Sequence, residues 1–162
     1  MILITDRTKT DVERWKTLRD KGWNEMSDEE RAEWMGLTTP TPSASKGMYT
    51  HNDLNRVEAA VKELASRLLE FGYLKEDLDI KTDWMYTDQI WLEDIKRYYG
   101  NIGKLRDCIK VYAKTPYTPS TSRKLDYEMA NEIEQILSDI NDVTNKIPQS
   151  WCYAGEIMAM EV

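Results

Sequence analysis

Three stretches of this chain repeat apolar residues in alternating steps of three and four, a pattern that admits little besides packed helices. Leu54, Val57, Val61, Leu64, Leu68 and Phe71 form the first. Ile95, Tyr98, Ile102, Leu105, Ile109 and Tyr112 form the second, and Met129, Ile133, Ile136, Ile140, Val143 and Ile147 the third. Each keeps a seven-residue repeat, so each helix carries one apolar seam suited to shallow, coiled-coil-like packing. At ~1.5 Å per residue, each helix is on the order of 30 Å long. Thr50 with Asp53 predicts a capped start for the first helix, and Gly72 its stop. Asp126 or Ser122 caps the third, which Pro148 ends. Matched lengths and seams predict an all-α fold, with an antiparallel three-helix bundle over residues 50–147.

The remaining residues divide around that bundle. Thr10-Asp11 starts a short helix carrying Val12, Trp15 and Leu18 and stopping at Gly22. Ser27-Asp28-Glu29-Glu30 is a capping box for a second, ending at Gly36. Helices this short need a partner surface. Residues 1–36 therefore read as a short helical hairpin arm, packed on the main body or on another chain. Residues 37–49, with Pro40, Pro42 and several Ser and Thr, read as an extended linker. Residues 148–162 form a C-terminal tail containing Trp151 and Tyr153. Gly100 and Gly103 weaken the second helix by roughly 1 kcal/mol each relative to Ala, which predicts close packing at both.

An up-down-up path sets the first and third helices parallel. Asn55, Arg56, Asn131 and Glu134 then share one level as a polar cluster that fixes helix register. The same path sends the 72–91 connection, with Asp83-Trp84 and Trp91, to the opposite pole to meet Trp151 and Tyr153. It also separates Cys108 from Cys152 by more than the ~7 Å a disulfide tolerates, so no bridge is expected and a reducing compartment is implied.

Charge removes several functions. The chain holds 22 Lys plus Arg against 29 Asp plus Glu, a formal charge of −7, which argues against binding nucleic acid. The whole excess lies in residues 125–162, which carry eight acids and one base, Lys146. That segment reads as a solvated acidic helix face or a surface for a basic partner. No apolar run reaches membrane-span length, and the first residues lack the pattern of a signal peptide, so no membrane partner is expected.

Chemistry fails on inventory. His51 is the single histidine and reads as a surface or capping residue. The two cysteines belong to no metal-ligand spacing, and no glycine-rich phosphate loop is present, so no catalytic residue, metal or cofactor is expected. Asp77, Asp79 and Asp83 make a loose cation group without the calcium-loop pattern. Six Trp and nine Tyr against one Phe are the unusual feature, since both types suit partly wet interfaces. Trp15, Trp23, Trp34, Trp84, Trp91, Trp151 and Tyr153 all lie outside the seams, as end caps of the core, contacts for a partner protein, or platforms for sugar rings.

The segment Gly47-Met-Tyr-Thr-His-Asn-Asp-Leu-Asn-Arg-Val-Glu58 carries a more specific signal. With Thr82-Asp-Trp84, Leu125-Asp-Tyr-Glu-Met-Ala-Asn-Glu-Ile-Glu-Gln-Ile-Leu137 and Trp151-Cys-Tyr-Ala-Gly-Glu156, it resembles a helical domain of structural proteins from phages and prophages of Gram-positive gut bacteria. The likeness runs from about residue 47 to 156 and brings no catalytic residue with it. It implies a virion component of the tail or baseplate region, made in the host cytoplasm. Its partners would be other phage structural proteins, and its copies would come in threes or sixes. A carbohydrate-binding module for host surface glycans and a small non-virion regulatory protein are the alternative readings.

Overall fold

The computed structural model describes residues 1–150. Six α-helices and no strand occur among them: α1 Lys9–Lys21, α2 Asp28–Trp34, α3 Ala44–Gly47, α4 His51–Glu70, α5 Leu92–Cys108 and α6 Tyr127–Lys146. The described residues are all-α, as their periodicity requires. Trp151, Tyr153 and Cys152, with the contacts expected of them, lie outside the described residues.

Local signals act close to where the sequence puts them. The Thr50 hydroxyl accepts the Asn52 amide, and the Asp53 carboxylate accepts the Thr50 amide at 2.9 Å. Asp126 caps α6 by accepting the Met129 amide at 2.8 Å. Ser27 and Glu30 make the expected capping box on α2. The first helix starts two residues early, because Thr8 rather than Thr10 is the residue that Asp11 reciprocates. Gly22, Gly36 and Gly72 each adopt φ near +75°, the left-handed region that ends a helix at least cost in glycine.

The seams become one core. Leu64, Leu68, Ile102, Leu105, Ile133, Ile136 and Ile140 are fully buried, and Phe71, Ile95 and Val143 pack at its margins. At roughly 1.5–3 kcal/mol per buried side chain, this cluster is the main stabilising term. The second seam is shorter than predicted. Ile109 leaves the helix with φ −134° and ψ 158°, so Tyr112 lies beyond it and donates its hydroxyl to Asp142.

Helix direction differs from the prediction. Arg56 pairs with Glu134, and Arg67 donates to Asn141 at 3.0 Å, so α4 and α6 run parallel as expected. Yet Tyr99, in the first half of α5, donates to the Met129 sulfur at 3.1 Å in the first turn of α6. Tyr112, just past α5, lies 5.4 Å from the ammonium of Lys146 at the far end of α6. Arg97 meets Glu58 at 2.7 Å, and Lys104 meets Glu76, beyond the end of α4, at 2.9 Å. All three long helices therefore point the same way, and the antiparallel arrangement is corrected. Connection length permits this course. Residues 71–91 and 109–126 extend at ~3.3 Å per residue to roughly twice a helix length, enough to return along it.

Each returning segment needs partners for its backbone, and side chains supply them. Asn55 brackets Trp84, donating to its carbonyl at 2.9 Å and accepting its amide at 2.8 Å. In the N-terminal segment Asn131 brackets Arg7 in the same way, at 2.8 and 3.0 Å. Asn101 donates to the Asp79 carbonyl at 2.6 Å, and Thr115 donates to Asp139 at 2.6 Å. Gly103 lets the second return lie close, since a Cβ there would stand 3.1 Å from Thr118. Gly100 is not packed: a Cβ there would meet nothing, contrary to expectation.

The segment expected as a free linker is instead partly interior. Ser43 and Ala44 are fully buried. The Ser43 amide donates to Asp11 at 2.6 Å and the Ala44 amide to Glu33 at 2.8 Å. A Cβ on Gly47 would lie 2.1 Å from the Asp11 carbonyl oxygen, so α3 can press against α1 only with glycine there.

Candidate functional site

The return of residues 71–91 carries Trp84 to the start of α4 rather than to the opposite pole. There its indole N–H donates to Glu58 at 3.0 Å, and its ring is buried. Glu58, itself buried, also accepts the Lys81 amide at 2.8 Å and both terminal nitrogens of Arg97. This fixed point holds up the loop that follows. Asp88 accepts the Met85 amide at 3.1 Å, and that bond, with Lys81 beside it, keeps its carboxyl below the ordinary carboxylate range.

On this base stands a cleft of about 700 Å³. The end of α2 forms one wall with Trp34 and Met35, and the 84–90 loop forms the other with Met85, Tyr86 and Ile90. Met48 and His51 also line the cleft. The rim is apolar and open: Tyr86 is 89% exposed, Met85 62% and the neighbouring Trp91 59%. His51 meets the Tyr86 ring edge-on, with centroids 6.3 Å apart. It lies in the first turn of α4, where Thr50 and not His51 is the cap.

A largely buried charge network adjoins the cleft through Asp53. Glu134, fully buried, pairs with Arg7 at 2.8 Å and with Arg56, and accepts the Ile4 amide. Asp53 accepts from Arg7 at 3.1 Å and from Arg56 at 2.8 Å. Burial would lower the Arg56 pKa, but hydrogen bonds from its guanidinium to Glu134 and Asp53 outweigh it and hold it above the ordinary range. Alongside, Tyr49 and Tyr98 share a hydroxyl hydrogen bond of 2.7 Å, and burial pushes both phenols upward.

The predicted polar cluster is thus half assembled. Arg56 and Glu134 meet, while Asn131 turns to Arg7 and Asn55 to Trp84 on another face. Arg7 is the member that sequence reasoning missed; nothing in its local sequence marks it as interior. The aromatics also divide. Trp15 stacks on Trp34 at 6.4 Å, Trp84 is buried, and Trp23 and Trp91 are exposed. Asp77, Asp79 and Asp83 do not converge: among the described residues no three His, Cys, Asp or Glu side chains are placed to share a metal ion. No described helix is long and apolar enough to cross a membrane. What the cleft offers chemically is apolar and aromatic surface on a pinned loop, with Thr50, His51 and Asn52 as neutral polar points and the Asp53 and Asp88 carboxylates, both already hydrogen-bonded, in its lining.

No protein-family model, curated protein or solved structure matches the chain.

Proposed function

We propose that the chain is a non-enzymatic assembly module, a structural component of a phage virion in its tail or baseplate region. The observation that carries this reading is the open Met- and aromatic-rimmed cleft, whose exposed residues stand on a loop pinned through Trp84 and Glu58. Solvent-exposed Met, Tyr and Trp side by side are a composition suited to burial against another protein. The three-helix bundle serves as a rigid body, and partner surface covers Met35, Met85, Tyr86 and Trp91. The virion setting is supported by the resemblance of the segments at 47–58, 82–84, 125–137 and 151–156 to phage structural domains. Copies around a particle axis come in threes or sixes, with other virion proteins as neighbours.

Quantitative mass spectrometry of purified phage particles from the source strain tests this. Recovery at a fixed ratio to the major tail or capsid protein is the expected result. Absence, with other minor tail proteins detected, favours the regulatory reading instead.

A further inference from the structure

The bare apolar surface around the cleft is larger than the cleft itself. Leu37 lies just past Met35 and Leu92 just past Trp91, and they are 72% and 53% exposed, so the patch runs on beyond both walls. It amounts to something on the order of several hundred Å², the size that marks a protein contact and more than one small molecule covers. Met35, Met48 and Met85 are among the lining residues. Unbranched thioether side chains adapt to an incoming surface, and apolar grooves are a recurrent seat for amphipathic helices.

The charge of this surface is one-sided. No Lys or Arg lines the cleft, whereas Asp53 and Asp88 do. The segments that form its walls, residues 28–36 and 83–94, carry eight acids and one base, Arg31. Arg14, Lys21 and Lys81 pair into them from outside and still leave an excess of four acids. Glu29 and Glu93 make no ion pair among the described residues. This excess selects among occupants. A second copy related by a two-fold axis would set the same acidic rim against itself. An anionic lipid surface is repelled for the same reason. A partner whose bases flank an apolar stripe matches both features at once.

We infer that the cleft seats a basic amphipathic helix of a partner protein. Its apolar stripe lies between the end of α2 and the 84–90 loop, against Met35, Met85 and Tyr86. Its Lys or Arg residues meet the acidic walls, where Glu29 and Glu93 are the free carboxylates. Such a partner presupposes that the cleft is an assembly surface, as proposed above.

The experiment titrates the full chain, labelled with ¹³C at the methionine methyls, with a Leu/Lys peptide of about 18 residues whose leucines fall on one helical face. Two controls accompany it: the same design with Glu for Lys, and a scrambled peptide of equal composition. The Met35, Met48 and Met85 methyls should shift and saturate with the amphipathic Lys peptide, while the buried Met26 and Met129 stay in place. Both controls should bind at least about tenfold more weakly. Met85→Gln with Tyr86→Ser, and separately Glu29→Lys with Glu93→Lys, alter exposed side chains and should each weaken the Lys peptide by about tenfold. No saturation up to about 1 mM, equal binding of either control, or unchanged affinity in either variant overturns the proposal. So does a free chain that dimerises through the same methyls, seen by sedimentation and by their shift with concentration. Recovery of the chain in phage particles with no binding of the Lys peptide would strike the basic helix and leave the virion component standing. Binding of the Lys peptide by a chain absent from particles would do the reverse.

Discussion

Leu64, Ile102 and Ile136 are fully buried at the centre of the long helices, where apolar side chains alone make the contact. The extended segments reach the same interior differently. Residues 81–84 are held by Glu58 and Asn55, residues 4–7 by Glu134 and Asn131, and Thr115 by Asp139. The two regions carry different information. Apolar burial is non-directional, so a seam says that helices pack and leaves open which way they run. A buried carboxylate accepting a particular amide is specific to one position, because any other alignment leaves a buried charge unmatched. In this molecule the helices supply most of the stability and the polar clamps decide the topology.

Breaking each region should give different signatures. Ile102→Asp puts an unpaired charge in the seam and should cost several kcal/mol, comparable with the whole stability of a domain this size. Thermal unfolding by circular dichroism should show loss of the cooperative transition at ordinary temperature. Melting near the parent temperature would mean the seam assignment is wrong. Glu134→Ala leaves the buried Arg7 and the half-buried Arg56 without their main partner and should cost about 3–5 kcal/mol. Hydrogen exchange should then show residues 1–8 opening well before α4, α5 and α6, a separation that a purely apolar variant would not produce.

A smaller effect isolates a single clamp. Asn55→Ala removes both bonds to Trp84 and should cost about 1–3 kcal/mol, read as faster exchange confined to residues 81–88. Unchanged exchange there would transfer the holding role wholly to Glu58. The mildest perturbation is acid. Burial would raise the Asp11 and Glu33 carboxyls, but the Ser43 and Ala44 amides, with Thr8 and Arg14, outweigh it and hold both below their ordinary values of 3.8 and 4.5. Groups depressed by folding stabilise fully above those ordinary values, and that contribution fades as the pH falls through the lower folded-state values. Below about pH 4, therefore, the Ser43 and Ala44 amides should lose protection while the apolar core keeps its own. Simultaneous loss in both regions would show that the arm and core are not distinguished by their chemistry.

This contrast also explains what could be read from the residues alone. The seams up to the last two positions of the second, the Thr50, Ser27 and Asp126 caps and the glycine stops were legible, because each depends on residues within one or two turns. The Arg56–Glu134 pair was legible too, since α4 and α6 are parallel in either topology. Glu134 even carries a local mark: Ala130 and Leu137 flank it on its own face, with no base to pair with. The direction of α5 was not legible, because a connection near 20 residues permits a hairpin or a full return. The interior placement of Ser43 and Ala44 was hidden for a related reason. Their partners, Asp11 and Glu33, look like ordinary first-turn and surface acids until the fold brings the backbone to them. Trp84 follows the same rule, being by sequence an interface or end-cap candidate at the opposite pole and in the structure a buried donor to Glu58.

The parallel course of the three helices rests most directly on two aromatic contacts, and one nuclear Overhauser experiment reads both. Cross-peaks should join the Tyr99 ring to the Met129 methyl, and the Tyr112 ring to the Lys146 side chain. Cross-peaks from Tyr112 to residues 127–130 in place of Lys146 would put the end of α5 beside the start of α6. The helices would then be antiparallel, and the clamps would not set the topology.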